Sequence, residues 1–373
     1  MIPYGRQSIS ESDAMAVAAA AKSDWLTSGP TTKLFENELG KITGSRALAV
    51  SSGTAAIHTA YAALNVGSGD RVLCTPMTFV ATLAPALQRG AIVDFVDVDP
   101  QTGLVTPDIL VEHLDESIAC VAVVDYAGHP VDAPVLSELC RRNGAWLLED
   151  AAHSLGSTLH GRPVGSMADM TTFSFFPTKN ITSGEGGAVG TNNSDLARAV
   201  GRFRDHGLAR DDARDESEPW FVPVQSLGLN YRLSDILSAL GLSQLGSLSD
   251  FKARRLGIKQ RYDDGLSDVP EVATPLTQDG AEPFWHLYPL RVLDGGRLAL
   301  WQHLQSHGVA AQVNFVPAYR HPAVAQYLTS PVDTPGAELF YSQQLSLPLF
   351  ADLADRDVDR VISLVRSFFG AST

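Results

Sequence analysis

Cysteine, basic residues and long apolar runs are scarce in this sequence. The three cysteines, Cys74, Cys120 and Cys140, are odd in number and form no CxxC pair, which suggests neither a disulfide framework nor a zinc site. The formal net charge is −14, so nucleic acid and anionic membranes would on average repel the chain. No apolar run approaches membrane-spanning length, and the N-terminus lacks the basic-then-apolar order of a signal peptide. We therefore expect a soluble, cytoplasmic protein with no nucleic-acid or membrane partner.

Several common catalytic motifs are also absent from the sequence. It contains no GxxxxGK[ST] phosphate loop, no HExxH metal motif and no GxSxG nucleophile turn. No GxGxxG follows the first predicted strand, so a dinucleotide site is poorly supported. His303 and His307 stand four apart on a predicted helix, and we interpret them as part of an amphipathic surface rather than as metal ligands. We expect no metal site.

The first two hundred residues have the pattern of a large α/β domain. Short apolar runs alternate with amphipathic stretches there, as they do in a mainly parallel sheet covered by helices on both faces. A chain of 373 residues has room for this domain and a smaller one. Seven runs rich in Val, Ile, Leu, Ala or Phe are predicted to be the strands of one sheet: Arg46–Ser51, Arg71–Cys74, Ile92–Val96, Ile118–Val124, Ala145–Glu149, Met170–Phe175 and Gly187–Gly190.

The rest of the chain predicts a smaller α+β domain. The segment Leu208–Pro219 is dense in Asp, Glu and Arg and is predicted to be an exposed loop. A helix follows it, and we place the domain boundary at the end of that helix. This divides the chain into residues 1–248, the N-terminal arm with the large domain, and residues 249–373. The predicted elements after the loop are a helix at Ser234–Leu248, which ends the large domain and continues helically toward Tyr262, a strand at His286–Val292, and helices at Leu298–His307 and Asp355–Phe369.

A single lysine, Lys179, stands between an apolar strand and the glycine-rich turn Gly184–Gly187. In a pocket partly shielded from water its ammonium form would be disfavoured, so the amine could attack an aldehyde and form a Schiff base. Taken alone, a lysine at such a position is more often a solvated loop residue. The neighbouring segments decide between these interpretations.

Four further segments favour a cofactor site around this lysine. Asp150 ends a buried strand, where ligands of open α/β sheets bind, and a carboxylate there could keep a pyridine nitrogen protonated; taken alone it could equally cap a helix. Ser52-Gly53-Thr54 ends a strand and opens a helix, which suits a phosphate as well as a plain capping turn. Ser174 would project from the face of its strand opposite Phe173 and could reach that phosphate. Phe79 follows another strand end and could stack on a planar ring or pack in the core.

Taken together, these segments resemble the sugar-aminotransferase branch of the fold-type I pyridoxal-phosphate enzymes, often called the DegT family. The resemblance covers nearly the whole chain, and the joint occurrence of the motifs in family order is highly specific. The motifs are Ser51-Ser52-Gly53-Thr54-Ala55-Ala56, Thr78-Phe79-Val80-Ala81-Thr82, Glu149-Asp150-Ala151-Ala152-His153, Phe173 to Gly187, and Gly228-Leu229-Asn230-Tyr231-Arg232-Leu233-Ser234-Asp235.

The resemblance implies pyridoxal 5′-phosphate as cofactor, alternating with pyridoxamine phosphate. It makes Lys179 the Schiff-base lysine and Asp150 the partner of the pyridine nitrogen. It also implies a homodimer with shared active sites, because one of the matched residues reaches the cofactor of the neighbouring subunit in relatives. The other implied cofactor-binding residues are Gly53, Thr54 and Ser174 at the phosphate, Phe79 and His153 at the ring, and Asn230 at the neighbouring subunit's phosphate. Many relatives have Gln at the position of His153.

Within the family, the sequence is most similar to the transaminases of pseudaminic acid synthesis. These aminate C4 of a UDP-linked 4-keto-6-deoxy-N-acetylhexosamine with L-glutamate as donor. Two positions depart from the pattern, because relatives often have His where this chain has Asn314 and Phe176. Such changes alter hydrogen bonding to the sugar. The candidate substrate residues are Tyr4, Thr27, Phe176, Arg232, Asn314 and Tyr319, and Arg6 and Arg320 are further candidates for the substrate diphosphate.

Three other functions were weighed against this one. An aminotransferase of the same family could act on a cyclitol or another secondary-metabolite ketone. A sugar 3-dehydratase of the same fold has His in place of the lysine, so Lys179 argues against it. A catalytically silent sensor could keep the fold as a binding module, but it would not need the lysine, the aspartate and the phosphate groups together.

Overall fold

The computed structural model describes residues 1–209, 217–293 and 295–371. Most of the predicted loop after Leu208 therefore lies outside the described residues. The helices are α1 Glu11–Ala21, α2 Pro30–Thr43, α3 Gly53–Ala63, α4 Ala84–Gln88, α5 Pro107–Val111, α6 Ala133–Arg142, α7 Ser194–Phe203, α8 Asp235–Leu245, α9 Leu248–Leu266, α10 Arg297–Ser306, α11 Pro322–Ala325, α12 Pro335–Gln343 and α13 Asp355–Phe368. The strands are β1 Arg46–Val50, β2 Arg71–Cys74, β3 Ile92–Phe95, β4 Ile118–Val124, β5 Trp146–Asp150, β6 Thr158–Leu159, β7 Arg162–Pro163, β8 Met170–Ser174, β9 Gly187–Thr191, β10 Val272–Ala273, β11 Ala281–Glu282, β12 Tyr288–Val292 and β13 Gln344–Leu347.

The predicted seven-stranded sheet is confirmed. Its order is β1-β9-β8-β5-β4-β2-β3, and the four pairings from β8 to β3 are parallel. Only β9 runs against the others, since it pairs antiparallel with both β1 and β8. The predicted strand bounds agree with the observed ones to within one residue.

Both faces of the sheet are covered, which explains why its strands are continuous apolar runs. In β4, Cys120 and Ala122 belong to the core that the sheet forms with α3 and α7. Val121 and Val123, which point to the opposite face, belong to the core formed with α2 and α6. The sheet is therefore the rigid middle layer of an α/β sandwich.

A second, antiparallel sheet of order β10-β12-β13 packs with the long helices α9, α10 and α13 through one continuous core. Helix α8 ends at Leu245 and α9 begins at Leu248, so the predicted division after residue 248 falls at this helix junction. That division stays a prediction. In the described ranges, no helix has the length and apolar character needed to cross a membrane.

The carboxyl ends of the parallel strands meet at one edge of the main sheet and position the site. Asp150 ends β5 and Ser174 ends β8, and these two strands are neighbours, with Asp150 opposite Thr172. The chain then crosses this edge between β8 and β9 in the loop of residues 175–186. That loop carries Lys179.

Candidate active site

Backbone and side-chain hydrogen bonds fix the loop that carries Lys179. The Lys179 amide donates to the Phe176 carbonyl at 2.9 Å, and the Ser183 amide donates to the Phe175 carbonyl at 3.0 Å. The side-chain Nδ2 of the buried Asn180 donates to the carbonyls of His153 and Leu155, both at 3.1 Å. The lysine therefore stands on a structured, partly buried turn rather than on a solvated loop.

The Lys179 amine is electrostatically unusual. Burial lowers its pKa to about 8 from an ordinary value of 10.5. The carboxylate of Asp150 opposes this shift and the guanidinium of Arg255 adds to it. At pH 7 about a tenth of such amines are neutral, against about three in ten thousand for an unperturbed lysine. The neutral amine is the form that attacks a carbonyl carbon.

Asp150 is a buried carboxylate held by two donors. Its Oδ2 accepts from the Thr82 hydroxyl at 2.6 Å, and its Oδ1 accepts from the Ala152 amide at 3.1 Å. Burial raises the pKa of Asp150, while both donors and the Lys179 charge oppose the rise. The residues after Asp150 form turns, so this carboxylate does not cap a helix and is available at the edge of the sheet.

A cradle of small residues forms where β1 and β8 end and β9 begins, against the start of α3. The Ser52 hydroxyl caps α3 by accepting from the Ala55 amide at 3.0 Å. A Cβ added to Gly53 would lie 2.8 Å from Ser174 Cβ, and one added to Gly187 would lie 2.4 Å from the Ser52 carbonyl oxygen. Only glycine fits at these two positions. The helix N-terminus and the exposed Thr54 leave N–H and O–H donors for an anion.

Aromatic rings form a connected row beside the lysine. His153 stacks on Phe315 with centroids 6.0 Å apart and 21° between planes, and Phe315 lies 6.2 Å from Phe79. His286 lies 4.4 Å from the other side of His153. Burial lowers the pKa of both histidines, so both rings are neutral near pH 7. Phe79 is 61% exposed, so its ring is accessible to a planar ligand.

These features fit pyridoxal phosphate. The ligand has an aldehyde, a pyridine nitrogen and a phosphate, and the site offers an amine with a lowered pKa, a buried carboxylate and a glycine-lined anion cradle. Ser174 links the anion cradle to the lysine and the aspartate. Its side chain packs against Gly53, it precedes Lys179 by five residues, and its strand β8 is the neighbour of β5, which ends at Asp150.

The structure brings some of the candidate substrate residues to this centre. Tyr4 is half-buried; burial raises its pKa, while the charge of Arg255 and a hydrogen bond from Asn314 oppose the rise. Among the residues that the structure describes, the buried Asn314 Oδ1 atom has no hydrogen-bond partner, which leaves an acceptor for a ligand. Phe176, in the lysine loop itself, is 46% exposed.

Other candidates lie elsewhere in this chain. Arg232 forms a 2.5 Å ion pair with Asp205, and it lines a groove between α2, β1 and α7 together with Thr27. The Tyr319 hydroxyl bonds the Thr334 hydroxyl at 3.0 Å and also contacts Glu338. Their role in substrate binding stays a prediction.

The same is true of the two arginines considered for the diphosphate. Arg320 pairs with Glu338, so its charge is already compensated. Arg6, in contrast, is exposed and lines a small cavity together with Lys179. Asn230 is exposed and stands two residues before Arg232, which lines the groove.

Three residues of the site were missed at the level of sequence. Thr82 lies within a quoted motif, but nothing in its position predicts the bond to Asp150. The sequence places His286 only at the start of a predicted strand. Arg255 had a detectable signal, because it is in phase with Ile258, the next buried residue on the inner face of α9.

Comparison with known proteins agrees with this geometry. A family model described as the DegT/DnrJ/EryC1/StrS aminotransferase family matches residues 7–366. The spore coat polysaccharide biosynthesis protein SpsC of Bacillus subtilis is 32% identical over 98% of this chain and 96% of its own length.

Solved structures are similar over the same extent. PseC of Helicobacter pylori, described as an aminotransferase involved in the biosynthesis of pseudoaminic acid, superposes with a TM-score of 0.92 at 31% identity, covering 98% of both chains. The sugar aminotransferase Spr1654 of Streptococcus pneumoniae, described as putative in that structure, gives 0.92 at 27% identity in its PMP form, covering 99% of this chain and 98% of its own. The PLP form of the same protein gives a TM-score of 0.91.

Proposed function

We propose that this chain, which belongs to the DegT/DnrJ/EryC1/StrS aminotransferase family, moves the amino group of L-glutamate to C4 of a nucleotide-linked keto-deoxysugar. It is an aminotransferase whose cofactor is pyridoxal phosphate. The donor, the acceptor and the position of amination are the proposal. The observation that carries it is the Lys179 amine, with its pKa lowered to about 8, opposite the buried carboxylate of Asp150.

Lys179 is proposed to act twice. Its neutral amine would hold the cofactor through the aldehyde and, when freed by the amino donor, would act as the base that takes the donor's α-proton and as the acid that returns it. When bound, pyridoxal phosphate supplies a ring that stabilises negative charge on the carbon next to the transferred nitrogen. A pKa of about 8 suits both tasks, because the amine can gain and lose a proton near neutral pH.

Asp150 is proposed to hold the ring nitrogen in its protonated form. A carboxylate does this best when it is ionised, and the bond from Thr82 at 2.6 Å favours the ionised form. Gly53, Thr54 and Ser174 would bind the phosphate at the start of α3. Phe79 and His153 would border the two faces of the ring.

Two residues bear on the choice of acceptor. Phe176 is exposed in the loop that carries Lys179, and Asn314, whose buried Oδ1 has no hydrogen-bond partner among the described residues, lies near Tyr4, so an apolar ring and an amide oxygen are available to an acceptor. The likeness to PseC supports a UDP-linked 4-keto sugar. The same two positions favour a cyclitol or another ketone as a second candidate, because relatives often have His at both.

A panel of acceptors tests this proposal. The enzyme and L-glutamate would be incubated with UDP- and dTDP-linked 3-keto and 4-keto sugars and with ketocyclitols, and 2-oxoglutarate would be followed. Turnover with a UDP-linked 4-keto-N-acetylhexosamine is expected. Turnover with ketocyclitols alone would replace the sugar proposal by the second candidate. Lys179→Ala should abolish turnover in every case.

A homodimer with shared sites is also proposed, supported by the surface around Asn230. Five large apolar side chains are exposed just before it, a density that marks an interaction surface: Trp220 at 77%, Phe221 at 55%, Val224 at 56%, Leu227 at 92% and Leu229 at 41%. Trp25 and Leu26 are also more than half exposed, and the Leu26 carbonyl accepts from the Asp235 amide, which extends the apolar surface beyond Asn230.

Mixing two inactive variants tests whether the sites are shared. If Asn230 serves the partner's cofactor, a mixed dimer of Lys179→Ala and Asn230→Ala chains has one site with both native residues. Equal mixing after dissociation should then restore about a quarter of the parent activity. If both residues serve the same chain, mixing restores nothing.

A further inference from the structure

Arg255 is a buried cation with an unusual set of partners. It is 3% exposed and lies on the inner face of α9, in register with Ile258, Tyr262 and Leu266. Long basic side chains on such a helix normally reach the solvent. Arg255 instead points into the core, where its guanidinium carbon lies 6.0 Å from the centre of the Phe284 ring.

Its guanidinium spans two segments of main chain. Nη1 donates to the carbonyls of Trp285 and His286 at 3.4 and 3.2 Å. Nη2 donates to the carbonyls of Thr178 and Lys179, both at 3.4 Å. Each bond is long and individually weak. Together the four bonds connect the lysine turn to the segment that carries His286. Only the planar fork of an arginine can reach four carbonyls at once.

Within the described part of the chain this guanidinium bonds to main-chain carbonyl oxygens and forms no ion pair with a carboxylate. Burial lowers the pKa of Arg255 to about 10, and it therefore remains a cation up to pH 9. A buried cation beside a lysine disfavours the ammonium form of that lysine. The titratable groups that act on Lys179 or on Arg255 are Asp150 from β5, His153 from the turn after it, His286 from the segment before β12, and Tyr4 from the N-terminal arm.

We propose that Arg255 is a positioning residue for Lys179: it tethers the lysine turn to residues 285–286, and its charge adds to the effect of burial in favouring the neutral form of the amine. This inference rests on the proposed role of Lys179. It assigns to α9, outside the motifs of the main sheet, a direct influence on the reacting amine.

The charge is tested on the protein without cofactor. Lys179 would be labelled with trace acetic anhydride between pH 6 and 9.5, and the labelled peptide would be quantified by mass spectrometry. The parent should show an inflection near its pKa of about 8. In Arg255→Met the inflection should move up by roughly one pH unit, a tenfold loss of labelling at pH 7. Arg255→Lys keeps the charge and should retain the parent profile.

The tether is tested by amide hydrogen exchange of residues 179–183. Both Arg255→Met and Arg255→Lys should exchange faster there, because an ammonium group cannot span the four carbonyls. The matched control is Arg254→Met, which removes the neighbouring arginine that pairs with Asp355 at 2.7 Å and should change neither measurement.

An unshifted inflection in a folded Arg255→Met protein overturns the charge role, and unchanged exchange in both variants overturns the tether. Arg255→Gln replaces the methionine variant if that variant does not fold. Labelling of Lys179 requires neither the cofactor nor turnover of a substrate. A cofactor that fails to link to Lys179 would therefore refute the proposed function. An unshifted pH profile of labelling in Arg255→Met would refute only the inference about Arg255.

Discussion

Removal of the Thr82 hydroxyl tests how the structure keeps Asp150 ionised. Thr82 Oγ1 lies 2.6 Å from Asp150 Oδ2 and 2.6 Å from Thr78 Oγ1, and Thr82 and Asp150 are both buried. Since Thr82 donates to the carboxylate, it can accept from Thr78, and the three side chains form a directed chain of hydrogen bonds. Thr82→Val preserves the volume and removes the donor.

The expected cost follows from the kind of bond that is lost. A hydrogen bond to a charged group contributes roughly 1.5–3 kcal/mol, which corresponds to about 10- to 150-fold in rate if Asp150 acts only when ionised. Thr82 lowers the pKa of Asp150 against the effect of burial. Its loss therefore raises that pKa further, and the defect of Thr82→Val should shrink as the pH rises.

The assay is the single-turnover half-reaction of the cofactor-loaded enzyme with L-glutamate, followed by absorbance between pH 6 and 9. Thr82→Ser retains a hydroxyl and is the matched control, so its rate should stay close to that of the parent. Equal rates for Thr82→Val and the parent across this range would refute the reasoning.

Three further outcomes are expected. Gly53→Val should weaken pyridoxal phosphate binding in an absorbance titration, because its Cβ would lie 2.8 Å from that of Ser174; tight binding would contradict the cradle. Burial raises the pKa of the Glu149 carboxyl above its ordinary value, so the folded protein holds this proton more tightly than the unfolded chain, and the stability it contributes is lost as the pH rises. Urea unfolding of the cofactor-free protein should show that Glu149→Gln lacks this loss and gains stability at pH 8 but not at pH 4.5; identical pH dependence would contradict the assignment. Leu227→Glu, at a side chain 92% exposed, should lower the dimer fraction in sedimentation without changing the circular dichroism spectrum.

The sequence predicted the sheet well because its strands are buried on both faces. Such strands, like Ile118–Val124, are continuous apolar runs that need no knowledge of their partners. The lysine and the aspartate were also accessible to sequence reasoning, because each lies at a strand end beside a turn. Local chemistry was sufficient for these features.

Residues whose role depends on a distant partner were less accessible. Asp150 is bonded by Thr82, 68 positions earlier, and the Lys179 carbonyl is bonded by Arg255, 76 positions later. Arg232 is a candidate for binding the substrate by its charge and its nearness to a motif, and the fold pairs it with Asp205. Such pairings are decided by tertiary structure, which a single sequence does not encode in its local patterns.

The central claim is that Lys179 is the amine that holds the cofactor. Reduction of the pyridoxal-phosphate enzyme with borohydride should fix the cofactor permanently to one lysine, and peptide mass spectrometry should find it on Lys179, whose pKa burial lowers to about 8. Modification of any other lysine, with Lys179 unmodified, would contradict the account.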